Sequence, residues 1–454
     1  MRKLSNYLLL ILICFIGIWS CDKNESTEAD YDPKSPVVFS DFLPKTGAVR
    51  TRLFIEGKNF GKDISKIHVF VGDKELKVIG SDGNQIYCMV PKQVESGAVK
   101  VVIDRGNGVE HVFDEGFTYR ATSTVGTLVG DVDELGNSSI IDGGFDAARF
   151  SNPMWVLFEP VSNNLFVVET ALSVRKVDLN DESISTLITN GQASFKKIQT
   201  ISLSFDNDTL FLTDDNGQTN NKNQVAIAYT LRSENYRRVH PYIYDYTSYA
   251  CASHPTDNIM FFNTYIGGGI LKAFTDPITK ELASKELFKV GGTSNIKPNI
   301  FFHPSGEYAY FMIAQTIWKS KYNWETKELE FPIVFAGGSS GDVDAIGTTA
   351  KFGYIRQGVF VKNPAYAGQE DEYDFYLADI NNHSIRKVTP TGEVSTYAGK
   401  GSPSSDGKKE GYIDGDLRLE ARFNKPSGIA YDAERKIFYI TEEVNRRIRT
   451  ISVE

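Results

Sequence analysis

The chain has 454 residues, with 49 Lys and Arg against 58 Asp and Glu and a formal charge of −9, and it carries no basic block, which argues against nucleic acid and against adhesion to an anionic lipid surface. It is long enough for two or three domains, and its 38 Gly, 22 Tyr and 29 Phe are the composition of many short strands joined by tight turns. Cys14 and Cys21 fall near the N-terminal end, whereas Cys88 and Cys251 lie far apart, so there is no disulfide framework.

Residues 1–20 read as a secretory signal: Met1-Arg2-Lys3 puts positive charge ahead of an apolar run from Tyr7 to Trp19, too short for a comfortable membrane span. The run ends at Ser20-Cys21, which resembles a bacterial lipoprotein signal and implies acylation of Cys21, so that the membrane contact is a lipid anchor. An ordinary signal peptide or an uncleaved anchor is the alternative. Cleavage removes Arg2 and Lys3, leaving 47 cations against 58 anions, or −11. Residues 21–35 are polar and acidic and read as a flexible tether. Acidic residues just after the cysteine are similar to the surface-export signal of Bacteroidetes lipoproteins, which implies the outer face of the outer membrane.

From 36 to 120 short alternating runs such as Arg52-Leu53-Phe54-Ile55 and Val99-Lys100-Val101-Val102-Ile103 are separated by Gly, Asn and Asp turns, predicting an antiparallel sandwich. Pro44-x-x-Gly47, Ile55-Glu56-Gly57-Lys58-Asn59-Phe60-Gly61, Val71-Gly72-Asp73, the later Val90-Pro91 and the closing Phe117-Thr118-Tyr119 resemble the IPT/TIG family of immunoglobulin-like domains. That resemblance implies a spacer or interaction module. His68 and His111 fall on strand faces, where a packing role outweighs a ligand role.

From 123 to 454 the chain repeats with a period near fifty residues. The unit is an apolar strand, a polar turn and a second strand ending in an acid or amide, as in Val156-Leu157-Phe158…Leu165-Phe166-Val167-Val168-Glu169. Six copies predict a six-bladed β-propeller. Val174-Arg175-Lys176-Val177, Asp379-x-x-Asn382-His383-Ser384-Ile385-Arg386-Lys387-Val388 and Glu442-x-x-Asn445-Arg446-Arg447-Ile448-Arg449 resemble NHL repeats, while the second to fourth copies keep only the strand skeleton. The last copy is one strand short and Ser123-Thr124-Val125-Gly126-Thr127-Leu128-Val129 has the form of the missing one, so the N-terminal strand is expected to close the ring in the last blade. The fold class expected is therefore all-β, a sandwich followed by a closed propeller.

The loops between second and third strands, and those between blades, gather on one face and are the expected site. Sugars stack apolar faces on aromatic rings and pair their hydroxyls with acids and amides. Tyr244, Tyr246 and Tyr265, with Asn263, Asp215 and Tyr412, are accordingly the candidate glycan-binding residues. Packing is the competing role for each ring. Trp155 reads as core or channel lining, with Trp318 and Trp324 near the opposite face. His254-Pro255 and His303-Pro304 recur at one place in the repeat and read as turn elements, and no cysteine and histidine spacing or nucleophile motif calls for catalysis. No cofactor is expected. Calcium held by Glu169, Asp379 and Glu442 would open a hydrolase or lactonase reading, against which these acids serve equally as turn-formers of the repeat.

An anchored sandwich and NHL-like propeller is similar to the accessory lipoproteins with which Bacteroidetes capture polysaccharide beside an outer-membrane transporter. The function this implies is non-catalytic glycan capture, with transporter components as partners. The alternatives are a protein-binding propeller and a metal-assisted hydrolase or lyase.

Overall fold

The computed structural model describes residues 31–91, 94–104, 108–192, 195–399 and 409–453, so the signal, Cys21 and the first part of the tether lie outside the described residues. The chain forms two compact units that divide between Ala121 and Thr122. Among the described residues the ordered elements are β-strands and short 3-10 turns, and no helix is long and apolar enough to cross a membrane.

In the first unit eight strands pair in one continuous path, and alternation sends Leu53, Ile55, Val69, Val71, Val99 and Val101 into a common core. The Gly-x-Asn-Phe turn has a physical reason. Phe60 is fully buried beside Gly57, where a Cβ would come within 2.0 Å of the Val38 carbonyl and 2.3 Å of the Phe60 ring. Asn59 takes a left-handed backbone (φ 63°). Its Nδ2 donates to the carbonyls of Asp32 (2.9 Å) and Ser35 (2.7 Å), and its Oδ1 accepts from the Asp32 N–H at 2.7 Å, tying down the incoming segment.

The second unit is a ring of six antiparallel sheets, blades I to VI. Their inner strands are Pro153–Glu159, Ile198–Leu203, Cys251–Ser253, Asn299–Phe302, Ile355–Lys362 and Pro426–Asp432. Each inner strand neighbours the next, and the last neighbours the first. The second strand of a blade is covered on both faces by adjacent blades, so it reads as an unbroken apolar run: Asn164–Glu169 is buried throughout, and Phe261, Phe262, Phe311 and Leu212 are fully inaccessible. In blade VI, Ser123–Val129 lies antiparallel to Arg447–Val453, with Val125 opposite Ile451, and Gly415–Asp416 borders it on the outside.

Candidate functional site

Three blades share a buried ion pair. Glu169 meets Arg175 at 2.6 Å in blade I, Asp379 meets Arg386 at 3.0 Å in blade V, and Glu442 meets Arg449 at 2.9 Å in blade VI, all six side chains being inaccessible. The register explains the pairing: Arg175 lies opposite Val167, two residues from Glu169 and so on the same face of the hairpin, and the other two pairs repeat this offset. Each acid also accepts backbone N–H bonds from the loop entering its blade, Glu169 from Ser151, Asp379 from Gly353 at 2.9 Å and Glu442 from Asn424 at 2.6 Å. Each arginine reaches further, Arg175 to Asp142 at 2.7 Å, Arg386 to Asp344 at 2.6 Å and Arg449 to Asp414. Burial pushes the three carboxyl pKa values up, and the arginines and hydrogen bonds oppose it. Glu169, Asp379 and Glu442 thus each close a blade on its own arginine, and they do not converge on a shared centre as a calcium ligand set would.

Blades II and III keep the amide clamp without the arginine. Asp214 accepts from the N–H groups of Lys196 (3.0 Å) and Lys197 (2.9 Å), and Asn263 Oδ1 accepts from those of Tyr249 (3.0 Å) and Ala250 (2.7 Å). Burial carries the Asp214 pKa up to about 6, with Asp215 adding to it and the two N–H bonds opposing. Asn263, a glycan candidate on sequence grounds, is fully buried and holds a loop instead of facing solvent.

All six inner strands contribute to a cavity of about 400 Å3 on the propeller axis. It opens on the face of the first-to-second-strand turns, where Phe205, Asn207, Pro255 and Pro304 form the rim. Its walls carry Trp155, Phe158, Phe301, Phe302, Phe360 and Tyr431, with Ser202, Ser204 and Ser253 between the rings. Trp155 is fixed by stacking on Phe301 (5.9 Å between centroids) and by its indole N–H, which donates to the Ile201 carbonyl at 3.0 Å. Gln357 forms the inner end. Its Nε2 donates to the Val156 carbonyl at 2.6 Å, and its Oε1 accepts from the N–H groups of Val156 (3.1 Å) and Ile429 (3.2 Å), joining blades V, I and VI. It can cross because residue 428 is glycine: a Cβ there would stand 3.0 Å from Gln357 Oε1 and 3.0 Å from Val156 N. Phe205, Phe302, Phe360 and Tyr431 were not singled out in the sequence. Their signal is an aromatic residue in the last three positions of an inner strand or just past it, which only the repeat alignment reveals.

The remaining sequence candidates lie on the opposite, loop-bearing face or at its margin. Tyr244 is 55% exposed at the end of blade II, and Tyr246 lies under the Lys222 ammonium at 5.1 Å. Asp215 accepts from Thr247 Oγ1 at 2.9 Å, and Tyr265 packs on Tyr249 at 5.4 Å. Tyr412 stands apart in blade VI, bonded to Thr127 Oγ1 at 2.9 Å with the Arg447 guanidinium 4.2 Å from its ring. Trp324 packs against His254, whose Nε2 bonds the Gly306 carbonyl at 2.9 Å, while His303 bonds Ser305 Oγ (2.6 Å) and Asp371 (3.2 Å). In the first unit His68 bonds Glu75 at 2.7 Å and His111 stacks on Phe39 at 4.6 Å. Among the described residues no group of three or more His, Cys, Asp or Glu is arranged to hold a metal ion.

Comparison with known proteins gives the following. Residues 36–119 match the IPT/TIG domain. No curated protein sequence matches the chain. Among solved structures, an auxiliary nutrient binding protein from Bacteroides thetaiotaomicron VPI-5482 is 37% identical with a TM-score of 0.76, covering 94% of this chain and 99% of that one. An auxiliary nutrient binding protein from Bacteroides ovatus ATCC 8483 is 33% identical with a TM-score of 0.75, covering 94% and 100%. A third protein, from Bacteroides thetaiotaomicron VPI-5482 and described provisionally as a phosphatase, is 32% identical with a TM-score of 0.73, covering 94% and 98%.

Proposed function

We propose, from the premise that this chain belongs to the same family as the Bacteroides auxiliary nutrient binding proteins, that it is a nutrient-binding protein whose ligand is a carbohydrate held without turnover in the axial cavity. The observation that carries this is the wall itself: aromatic rings of blades I, IV, V and VI face Ser202, Ser204 and Ser253 of blades II and III, so apolar rings and hydroxyl partners line one concave space. The protein acts at the cell surface, anchored through acylated Cys21, and passes its glycan to an outer-membrane transporter. The neighbours' nutrient-binding names and the signal-like N-terminal sequence support that placement. A second reading puts a glycan on the loop face, and the exposure of Tyr244 beside the Lys222-capped Tyr246 favours it.

The test is migration of the unlipidated protein in gels containing a polysaccharide panel, with retained glycans examined for shortened products. Retardation without products is expected. Phe205→Ala, at a rim position 68% exposed and therefore safe for folding, should weaken binding about 2- to 12-fold, the worth of one stacking ring. Unchanged affinity in Phe205→Ala together with loss in Tyr244→Ala would move the site to the loop face. Shortened products would establish a hydrolase or lyase, and no retention on any glycan would leave a protein partner.

A further inference from the structure

The loop-face end of the propeller axis is built from the first residues of the inner strands, and four consecutive blades each place a distinctive group there. Lys197 directly precedes the inner strand of blade II, Tyr249 stands two residues before that of blade III, Lys297 two before that of blade IV, and Arg356 is second in that of blade V. Because the inner strands encircle the axis, these groups form an arc around one mouth. The Lys297 ammonium lies 4.2 Å from the centroid of Tyr249 and 5.7 Å from that of Tyr265. Lys197 has Asp215 at 3.7 Å, and Arg356 has Glu443 at 2.5 Å. Lys297 has no carboxylate within salt-bridge distance among the described residues; its neighbours are ring faces.

Lys197 and Arg356 are thus each paired with a carboxylate and Lys297 is not, in a chain whose acids outnumber its bases by 58 to 49. Ring faces stabilise an ammonium by their quadrupole but leave its other side free to take an anion. Burial draws the Lys297 pKa below the ordinary lysine value, Asp215 opposes this, and Lys197 and Arg356 add to it, so Lys297 lies within the field of all three. An incoming anion would relieve the repulsion among the cations.

We propose that this mouth is a second subsite for an acidic sugar, with Lys297 contacting the carboxylate or sulfate group, Arg356 supplying the second cation and Tyr265 the stacking face. The proposal rests on the reading of the protein as a carbohydrate binder but not on the aromatic cavity, which opens at the other end of the axis. It makes the ligand an anionic polysaccharide and Lys297 its selectivity residue.

The experiment compares binding of polygalacturonate with its carboxyl-reduced form, and of dextran sulfate with dextran, to the wild-type protein, Lys297→Met and Lys321→Met, the last being the same charge change at an exposed strand position of blade IV. The wild type should prefer one charged form over its neutral counterpart by about tenfold, the scale of one charge-assisted contact. Lys297→Met should abolish that preference, and Lys321→Met should keep the preference, the affinity for the neutral form and the melting temperature of the wild type. The charged pair that shows the preference tells carboxylate from sulfate. Equal binding of charged and neutral forms, or a preference that survives Lys297→Met or is lost equally in Lys321→Met, overturns the acidic subsite alone. Failure to bind any glycan, charged or neutral, overturns the carbohydrate reading and this subsite with it.

Discussion

Asp214 is the buried acid of the repeat that has lost its arginine, and replacing it by asparagine tests whether the clamp or the charge matters. In the folded state its pKa is about 6, against 3.8 for an unperturbed aspartate. Below the unfolded value both states hold the proton and there is no penalty. As pH rises from there to about 6 the unfolded chain ionises first, so the folded state loses stability. Above about 6 the loss is constant at about 3 kcal/mol. Asparagine can keep the loop N–H bonds, as Asn263 does in the next blade, but its Nδ2 would be orphaned there as that of Asn263 is, at a cost of about 1–2 kcal/mol. Urea unfolding of wild type and Asp214→Asn at about pH 4, where the unfolded aspartate is already about half ionised, and at about pH 7.5 should show their stability difference moving by about 2.4 kcal/mol in favour of asparagine at the higher pH. Asp214→Ala, which leaves two loop amides without an acceptor, should be less stable than Asp214→Asn at both. A difference between Asp214→Asn and wild type that does not change with pH would refute the reasoning, because burial of an unpaired charge would then not govern this position.

Arg386→Met should destabilise the propeller by about 3–5 kcal/mol, since it strands the inaccessible Asp379 carboxylate; adding Asp379→Asn should recover part of the loss, and denaturant titration of both variants checks it. Gly428→Ala would place a Cβ 2.4 Å from Thr441 Oγ1 and 3.0 Å from both Gln357 Oε1 and Val156 N, so Thr441 must shift and the Gln357 bridge is crowded; a loss of about 2–3 kcal/mol with altered glycan affinity is expected by unfolding and gel retardation. A Gly428→Ala protein as stable as wild type would mean that this end of the axis has room for a Cβ and that the glycine is not required there.

The strand skeleton was legible because its physics is local. A blade's second strand is covered on both faces, so runs such as Leu165-Phe166-Val167-Val168 and Leu210-Phe211-Leu212 announce themselves, and the Asn59 turn carries its own left-handed backbone requirement. Arg175, Arg386 and Arg449 were visible as repeat positions, but their pairing with Glu169, Asp379 and Glu442 was not. Two residues six or seven apart meet only after the hairpin sets their register, and without it the same acids read equally well as calcium ligands.

The site was less legible than the fold. The exposure of Tyr rings in loops can be guessed from neighbouring polar residues, and Tyr244 and Tyr412 are exposed, Tyr412 with two guanidinium groups over its ring, yet Asn263 turns inward to hold amides. The axial cavity joins Trp155, Ser202, Phe302, Phe360 and Tyr431, which come from five blades and are separated by tens of residues. Local periodicity dictates which residues form strands and which strands are covered, and the sequence alone therefore determined a two-part all-β chain with six repeats. Which side chains meet on the axis depends on how six sheets close into a ring, and that convergence was decided only by tertiary packing.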